Sequence, residues 1–317
     1  MRLMKKLTEI ENLLIRLINI NSTSGQEAAV AGFIESKLGG FKLKRQHVSK
    51  DRFNIIAQKG KSDLWLVAHM DTVPPFFKAK VEADKITGRG AIDNKGNIAG
   101  VLIAARELKD INILFTVGEE QDFIGARKTK IKGRAIIFEP TVFKVRTAQC
   151  GVIAAKLTAK GDQKHSSLIT SKKDNAVHVL VETLNFLTNQ KWHCFNVGVI
   201  KGGVAPNVVA GSAEADFSVR PKSREEFLKI LKVIKALQGV NVQIINKMPP
   251  MRSRLAKMFP ASNPVSFFSE LFFFEQGILF GVGDIAEAHT PTEFVSRKDL
   301  NALPGKILSL AKSLSVK

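Results

Sequence analysis

Apolar residues recur at helical spacing near the start of the chain, where Ile10, Leu13, Leu14, Leu17 and Ile18 predict a helix over 7–20. Ser24 and Glu27 stand at capping-box spacing, which predicts a second helix with Val30, Phe33, Ile34 and Leu38 on its apolar face. The pattern then changes to short, nearly continuous apolar runs over 53–57, 64–68, 111–117 and 135–138, which read as strands, with a helix over 98–108 among them. Three of these runs lead directly into ionisable residues: His69, the pair Glu119-Glu120, and Glu139. Strands and helices in alternation, with polar groups at strand ends, describe an α/β domain whose site lies at the edge of a largely parallel sheet.

Beyond Gly151 the order is strand 152–159, helix 174–187, strands 193–200 and 213–219, helix 224–237 and strand 240–245. That βαββαβ order is the ferredoxin-like pattern. It sets 151–250 apart from 1–150 and 251–317 as a domain of its own. The most apolar stretch, 267–280, is interrupted by Ser269, Glu270, Glu275 and Gln276, so it reads as buried sheet or pocket wall and not as a membrane span.

Composition narrows the class. A chain of 317 residues with 44% hydrophobic and 24% charged content has room for two separate cores. Glu9 and Glu11 break any signal-peptide core near the basic start, and two cysteines, Cys150 and Cys194, suggest no disulfide framework. A cytoplasmic setting is expected. The net charge is +19, yet its lysines are dispersed and no nucleic-acid motif accompanies them. No nucleic-acid or membrane partner is expected, and the charge reads first as a solvated basic surface. An acidic protein substrate stays open.

The candidate chemistry lies in a few short segments. His69 and Asp71 flank Met70 at the end of an apolar run, before Pro74-Pro75; Asp93 lies in a turn between Gly90 and Gly96; Glu119-Glu120 follows a buried-strand pattern; Glu139 precedes Pro140; His289 lies in Ala288-His289-Thr290-Pro291. Taken singly, each has a plain structural reading: a satisfied strand-end histidine, an Asp-Asn turn, a solvated glutamate pair. Together they are a set of nitrogen and oxygen donors that suits zinc, and a carboxylate lying between two ions suits a pair of metals.

The set and its order resemble the di-zinc metallopeptidase and amidohydrolase family of aminoacylase, acetylornithine deacetylase and succinyl-diaminopimelate desuccinylase. That family includes the archaeal hydrolases that release lysine or ornithine from an amino-group carrier protein. The resemblance also covers Ser22 to Glu27, Gly202 to Val209, Ala213 to Arg220 and Ala288 to Glu293. It implies a zinc-peptidase-like catalytic domain carrying an inserted ferredoxin-like lid or dimerisation domain, and a homodimer. It implies two Zn²⁺, with Co²⁺ able to substitute. Asp93 would bridge the ions, His69 and Glu139 would hold one, and Glu120 and His289 the other. Asp71 would orient His69 through its second ring nitrogen. Glu119 would be the general base. His165 would contact the oxyanion, reaching across the dimer, and Asn207 and Arg220 would bind the carboxylate end of the substrate. A Gly-Thr-Ser-Asp-like stretch common in the deacylase branches has no counterpart in 262–270.

The function expected from this resemblance is removal of an N-acyl or carrier-protein group from an amino acid such as lysine, ornithine or diaminopimelate. A dipeptidase or carboxypeptidase on the same scaffold is one alternative. A non-catalytic binding protein is another, which the complete donor set disfavours.

Overall fold

A computed structural model describes residues 6–315. Two units emerge: 1–147 with 253–262 and 269–317, and 148–252 with 263–268. Residues 263–268, assigned to the first unit by the sequence pattern, group with the second because Cys150 N donates to Val265 O (2.9 Å) and Gln149 bridges Val265.

The first unit is built on a six-stranded sheet ordered Lys42–His47, Phe53–Lys59, Ile111–Thr116, Leu64–His69, Arg134–Phe138, Gly277–Phe280. The last four of these are parallel neighbours and the first two antiparallel. Leu64–His69, Ile111–Thr116 and Gly277–Phe280 are buried along their whole length, which is why the first two read as nearly continuous apolar runs. Lys42–His47 is a mostly exposed, basic edge strand with no apolar alternation, and the sequence pattern missed it. Its lysines and arginine discourage edge pairing with another chain. Helices Glu9–Ile18, Lys95–Glu107 and Arg297–Ser315 pack on one another and bring their apolar faces into a single core with the sheet.

The capping box lies one helix earlier than its spacing predicts. Thr8 and Glu11 form it at the start of Glu9–Ile18. Helix Ala28–Glu35 has no side-chain cap, because Ser24 and Glu27 are engaged elsewhere: Ser24 Oγ donates to Asp71 (2.7 Å) and Glu27 pairs with Arg52. A three-stranded sheet, Lys80–Val81, Lys85–Thr87 and Phe294–Ser296, pairs Phe294 with Thr87 and so brings the segment after His289 beside the Asp93 loop.

The second unit is an antiparallel four-stranded sheet ordered Asn196–Gly202, Ser212–Val219, Val152–Lys160, Val240–Met248. Ser212–Val219 alternates buried and half-exposed residues, and the apolar faces of helices Ala176–Thr188 and Arg224–Lys235 join its buried positions in a separate core. No helix among the described residues is long and apolar enough to cross a membrane.

Candidate metal centre

Parallel pairing gathers the strand ends. His69 lies opposite Thr116 and Val67 opposite Ile137, so the residues following all three strands emerge at one edge. Gly118 turns the chain there with φ +72°, and a Cβ on it would fall 2.7 Å from Arg52 Nη2. Glu119 and Glu120 follow directly.

Asp71 organises the edge in a way its spacing from His69 does not reveal. His69 Nδ1 lies 3.0 Å from the Asp71 main-chain carbonyl, whereas the Asp71 carboxylate is 3.6 Å away. The expected carboxylate–imidazole bond is thus a carbonyl–imidazole bond. The carboxylate turns instead to accept from Glu119 N (3.1 Å), Glu120 N (3.2 Å) and Ser24 Oγ. One residue therefore orients the imidazole and pins the main chain of both glutamates.

Asp93 stands between two histidines. Its Oδ1 is 2.9 Å from His69 Nε2 and its Oδ2 is 3.2 Å from His289 Nε2. His289 also meets Glu120 at 3.1 Å, and it adopts the left-handed backbone region at φ +63°, a conformation that costs energy in a residue with a Cβ. His69, Asp93 and Glu120 each present a ligand atom within 4.8 Å of the others. The Asp93–Asn94 peptide is cis, and Asn94 Nδ2 donates to Phe138 O (2.6 Å), next to Glu139.

The electrostatics of the cluster call for positive charge. Burial raises Glu119 and Glu139 well above the usual carboxylate range, with Glu139 and Asp93, respectively, adding repulsion. Burial and Asp93 also raise Glu120. Burial opposes the charged form of Asp93, but His289 and His69 outweigh it and hold Asp93 well below the ordinary range. Asp93 and Glu120 push His289 up to about 10. His69 is raised too, because Asp71 and Asp93 overcome its burial. Raised imidazoles beside raised carboxylates mark a crowding of negative charge, and Glu139 Oε1 is buried without a hydrogen-bond partner. Divalent cations among these oxygen and nitrogen donors would relieve both features, so the residues fit a metal centre.

Glu270 was missed as a site residue. It is fully buried, neither oxygen meets a partner within hydrogen-bond geometry, and burial pushes it up to about 7. Its charge is felt at both Glu119 and Glu139. Its only trace in the sequence is that it breaks the apolar run over 267–280.

The second unit places its three candidates at two ends of one sheet. Ser166 N donates to Asn207 O (3.0 Å) and His165 bridges Val208, so the His165 and Asn207 loops are neighbours. Both loops flank the end where Ser212 pairs with Lys160. Arg220 follows the opposite end of Ser212–Val219, where its N–H donates to His193 O (3.1 Å). At roughly 3.3 Å per residue the strand separates Arg220 from Asn207 by on the order of 25 Å. The two residues expected to share one substrate carboxylate do not meet within this unit. His165 is exposed, with Nδ1 2.8 Å from Ser167 Oγ.

Comparison with known proteins agrees with this architecture. A family model described as a peptidase dimerisation domain matches residues 147–239, and one described as peptidase family M28 matches residues 54–143. A peptidase M20 domain-containing protein of Schizosaccharomyces pombe is 29% identical over 320 residues, covering 90% of this chain and 79% of the relative. A tripeptidase from Staphylococcus aureus superposes with a TM-score of 0.80 at 19% identity, covering 98% of this chain and 99% of that one. The chain is thus similar to M20 peptidases over most of its length. Other relatives differ in what they are named for. A protein named "probable carboxypeptidase" in Aspergillus clavatus is 33% identical over 64% of this chain and 60% of its own length. A [LysW]-lysine/[LysW]-ornithine hydrolase of Sulfurisphaera tokodaii is 27% identical over 80% of this chain and 75% of its own length. A dinuclear metal-binding M20 peptidase of Bacillus subtilis shares the fold at a TM-score of 0.69 and 15% identity, covering 97% of this chain and 98% of that one. The relatives are named as peptidases and hydrolases, and residues 147–239 of this chain match the peptidase dimerisation domain.

Proposed function

We propose that this chain is a two-metal amidohydrolase of the M20 kind that removes an N-acyl or carrier-protein group from an amino acid such as lysine, ornithine or diaminopimelate. The observation that carries the reading is Asp93, whose two oxygens each face a different histidine. His69 and Glu139 would hold one ion with Asp93, and His289 and Glu120 the other; zinc suits these donors, with cobalt able to replace it. When bound, the ions supply Lewis acidity at the scissile carbonyl and at water. Glu119 takes the proton from the attacking water at its carboxylate and returns it to the leaving nitrogen. Its buried site strengthens it as a base, and the Asp71 bond to its main-chain N–H fixes where that base sits. Asp71 also keeps the His69 ring oriented through the main-chain carbonyl.

His165 would donate to the oxyanion of a partner subunit's site, with the neighbouring Asn207 loop acting on the same side. Arg220, at the far end of the sheet, would then act on a different part of a substrate. The two free cysteines fit a cytoplasmic setting. The [LysW]-lysine/[LysW]-ornithine hydrolase relative and the +19 charge both favour an acidic carrier-protein substrate.

The carboxypeptidase-named relative supports a second reading, cleavage of a C-terminal residue from a peptide. A panel of N-acetyl, N-succinyl and γ-glutamyl amino acids, free dipeptides and N-blocked dipeptides, assayed with Zn²⁺ or Co²⁺, separates the two. Turnover of N-acyl lysine or ornithine is expected. Turnover confined to dipeptides would overturn the deacylase reading. An acidic carrier substrate should bind less tightly as salt rises, far more steeply than a free N-acyl amino acid. Equal salt dependence would separate the charge from the substrate.

A further inference from the structure

We propose that Glu293 is a positioning residue for the bridging carboxylate, holding the Asp93 loop in the form that presents one oxygen to each ion. The inference rests on the two-metal reading above and adds a residue to it. Glu293 is completely buried, and its carboxylate accepts four hydrogen bonds, all from residues 89–93. Oε2 takes Arg89 Nη1 (2.8 Å) and Gly90 N (3.1 Å); Oε1 takes Ile92 N (3.0 Å) and Asp93 N (3.2 Å). A carboxylate has about four lone-pair sites, so this loop uses its whole capacity.

The loop needs such a partner. Residues 88–94 lie outside any helix or strand, so no ladder of main-chain bonds sets their path. Gly90 has φ +89° and packs against the buried Lys95 stem, which leaves the direction of the following Ile92 and Asp93 N–H groups to Glu293. The arrangement also links the two halves of the centre. Glu293 lies four residues after His289, its own carbonyl accepts from Gly88 N (2.9 Å), and Phe294 pairs with Thr87. One short segment thus supplies a candidate ligand and fixes the bridge that faces it.

A purely architectural role is the competing account, and the protein contains a control for it. Glu11 is also a buried carboxylate, paired with Arg297 through two bonds (2.8 and 2.9 Å), and its bonds go to Thr8, Arg297 and Asn301 and not to residues 88–94. The experiment titrates metal-free wild type, Glu293→Gln, Glu293→Asp and Glu11→Gln with Co²⁺ by calorimetry. It also follows magnetic coupling between the two Co²⁺ ions and the thermal midpoint of each metal-free protein. Wild type should bind two coupled ions. Glu293→Gln places an amide donor against main-chain donors, and Glu293→Asp keeps the charge but falls short of the four partners. Each should weaken binding of at least one ion by roughly 10–100-fold and reduce the coupling. Glu11→Gln should lose thermal stability and keep both ions at wild-type affinity.

Wild-type affinity and coupling in a folded Glu293→Asp protein would overturn the proposal. So would failure of both Glu293 variants to fold, because the residue would then serve the fold alone. Failure of wild type to bind two ions would instead sink the two-metal reading.

Discussion

The two units treat polar groups in opposite ways. The first buries His69, Asp71, Asp93, Glu119, Glu139, Glu270 and Glu293, most of them along one sheet edge or the loop that faces it. Among its described residues the second buries only Gln149 and Thr183, and its candidates His165 and Asn207 are exposed on loops. Burying a charge is expensive unless something compensates it, so a dense buried set of carboxylates is informative. It says that the first unit holds its chemistry ready-made and expects cations. The second unit is a packed apolar body whose candidate residues lie on its surface, where they would act only on something brought to them. That contrast can be tested by disabling each side in turn.

The largest effect should come from the bridge. Asp93→Ala removes the carboxylate that faces both imidazoles, so both ions should be lost and activity should fall to background. Elemental analysis alongside turnover checks this. Retention of two ions would mean that another carboxylate, Glu270 being nearest in kind, does the bridging.

Glu119→Gln separates chemistry from scaffolding on the same edge. The amide keeps the main-chain bond to Asp71 and the side-chain volume but cannot accept a proton. Turnover should drop roughly 10²–10⁴-fold with both ions and substrate affinity retained. Loss of an ion instead would exchange the roles of Glu119 and Glu120.

How far the sequence showed this edge depends on the kind of signal. Strand-end candidates are legible because nearly continuous apolar runs lead to His69, Glu119 and Glu139, and a parallel sheet aligns such ends. The role of Asp71 was half visible. A His-x-Asp spacing permits contact by either the carboxylate or the carbonyl, and only the fold shows that Glu119 and Glu120 claim the carboxylate. Ser24 and Glu27 looked like a capping box because local spacing cannot reveal that Asp71 and Arg52 engage them. Glu270 was hidden inside an apolar run, and the Glu293 partners lie about 200 positions away. Asn207 and Arg220 resemble family positions in their order along the chain, but order along a strand does not say that its two ends face different places.

The exposed side of the comparison is tested by mixing subunits. His165→Ala and Glu119→Gln should each be nearly inactive alone. If His165 serves the site of a partner subunit, unfolding and reassembling the two variants together creates heterodimers with one intact site. Activity should recover to about a quarter of wild type per total chain for statistical mixing in a symmetric dimer. No recovery despite demonstrated exchange would place His165 in its own chain's site or outside catalysis, and the second unit would lose its claim to surface chemistry.

The smallest effect concerns a buried carboxylate whose bonds go to Thr8, Arg297 and Asn301, and it asks whether burial in the first unit always means function. Glu11 is held below the ordinary carboxylate range: burial opposes this, but hydrogen bonds from Arg297 outweigh it. Its folded value lies below its unfolded one, near 4.3. Its stabilisation is therefore fully present above that unfolded value and lost as pH falls through the folded value. Glu11→Gln leaves Arg297 poorly compensated and should cost about 3 kcal/mol near pH 7, the lower end for breaking a buried pair. The gap between wild type and variant should stay constant from about pH 5 to 8 and narrow below about pH 4. Trp65 lies in the first unit and Trp192 in the second, so Trp192→Phe leaves a fluorescence reporter of the first unit alone. In that background the urea midpoint should shift with Glu11→Gln while metal binding does not. A gap that fails to narrow in acid would show that the pair contributes packing and no charge interaction. The buried carboxylates of the first unit would then divide more sharply between those that attract cations and those that merely fill space.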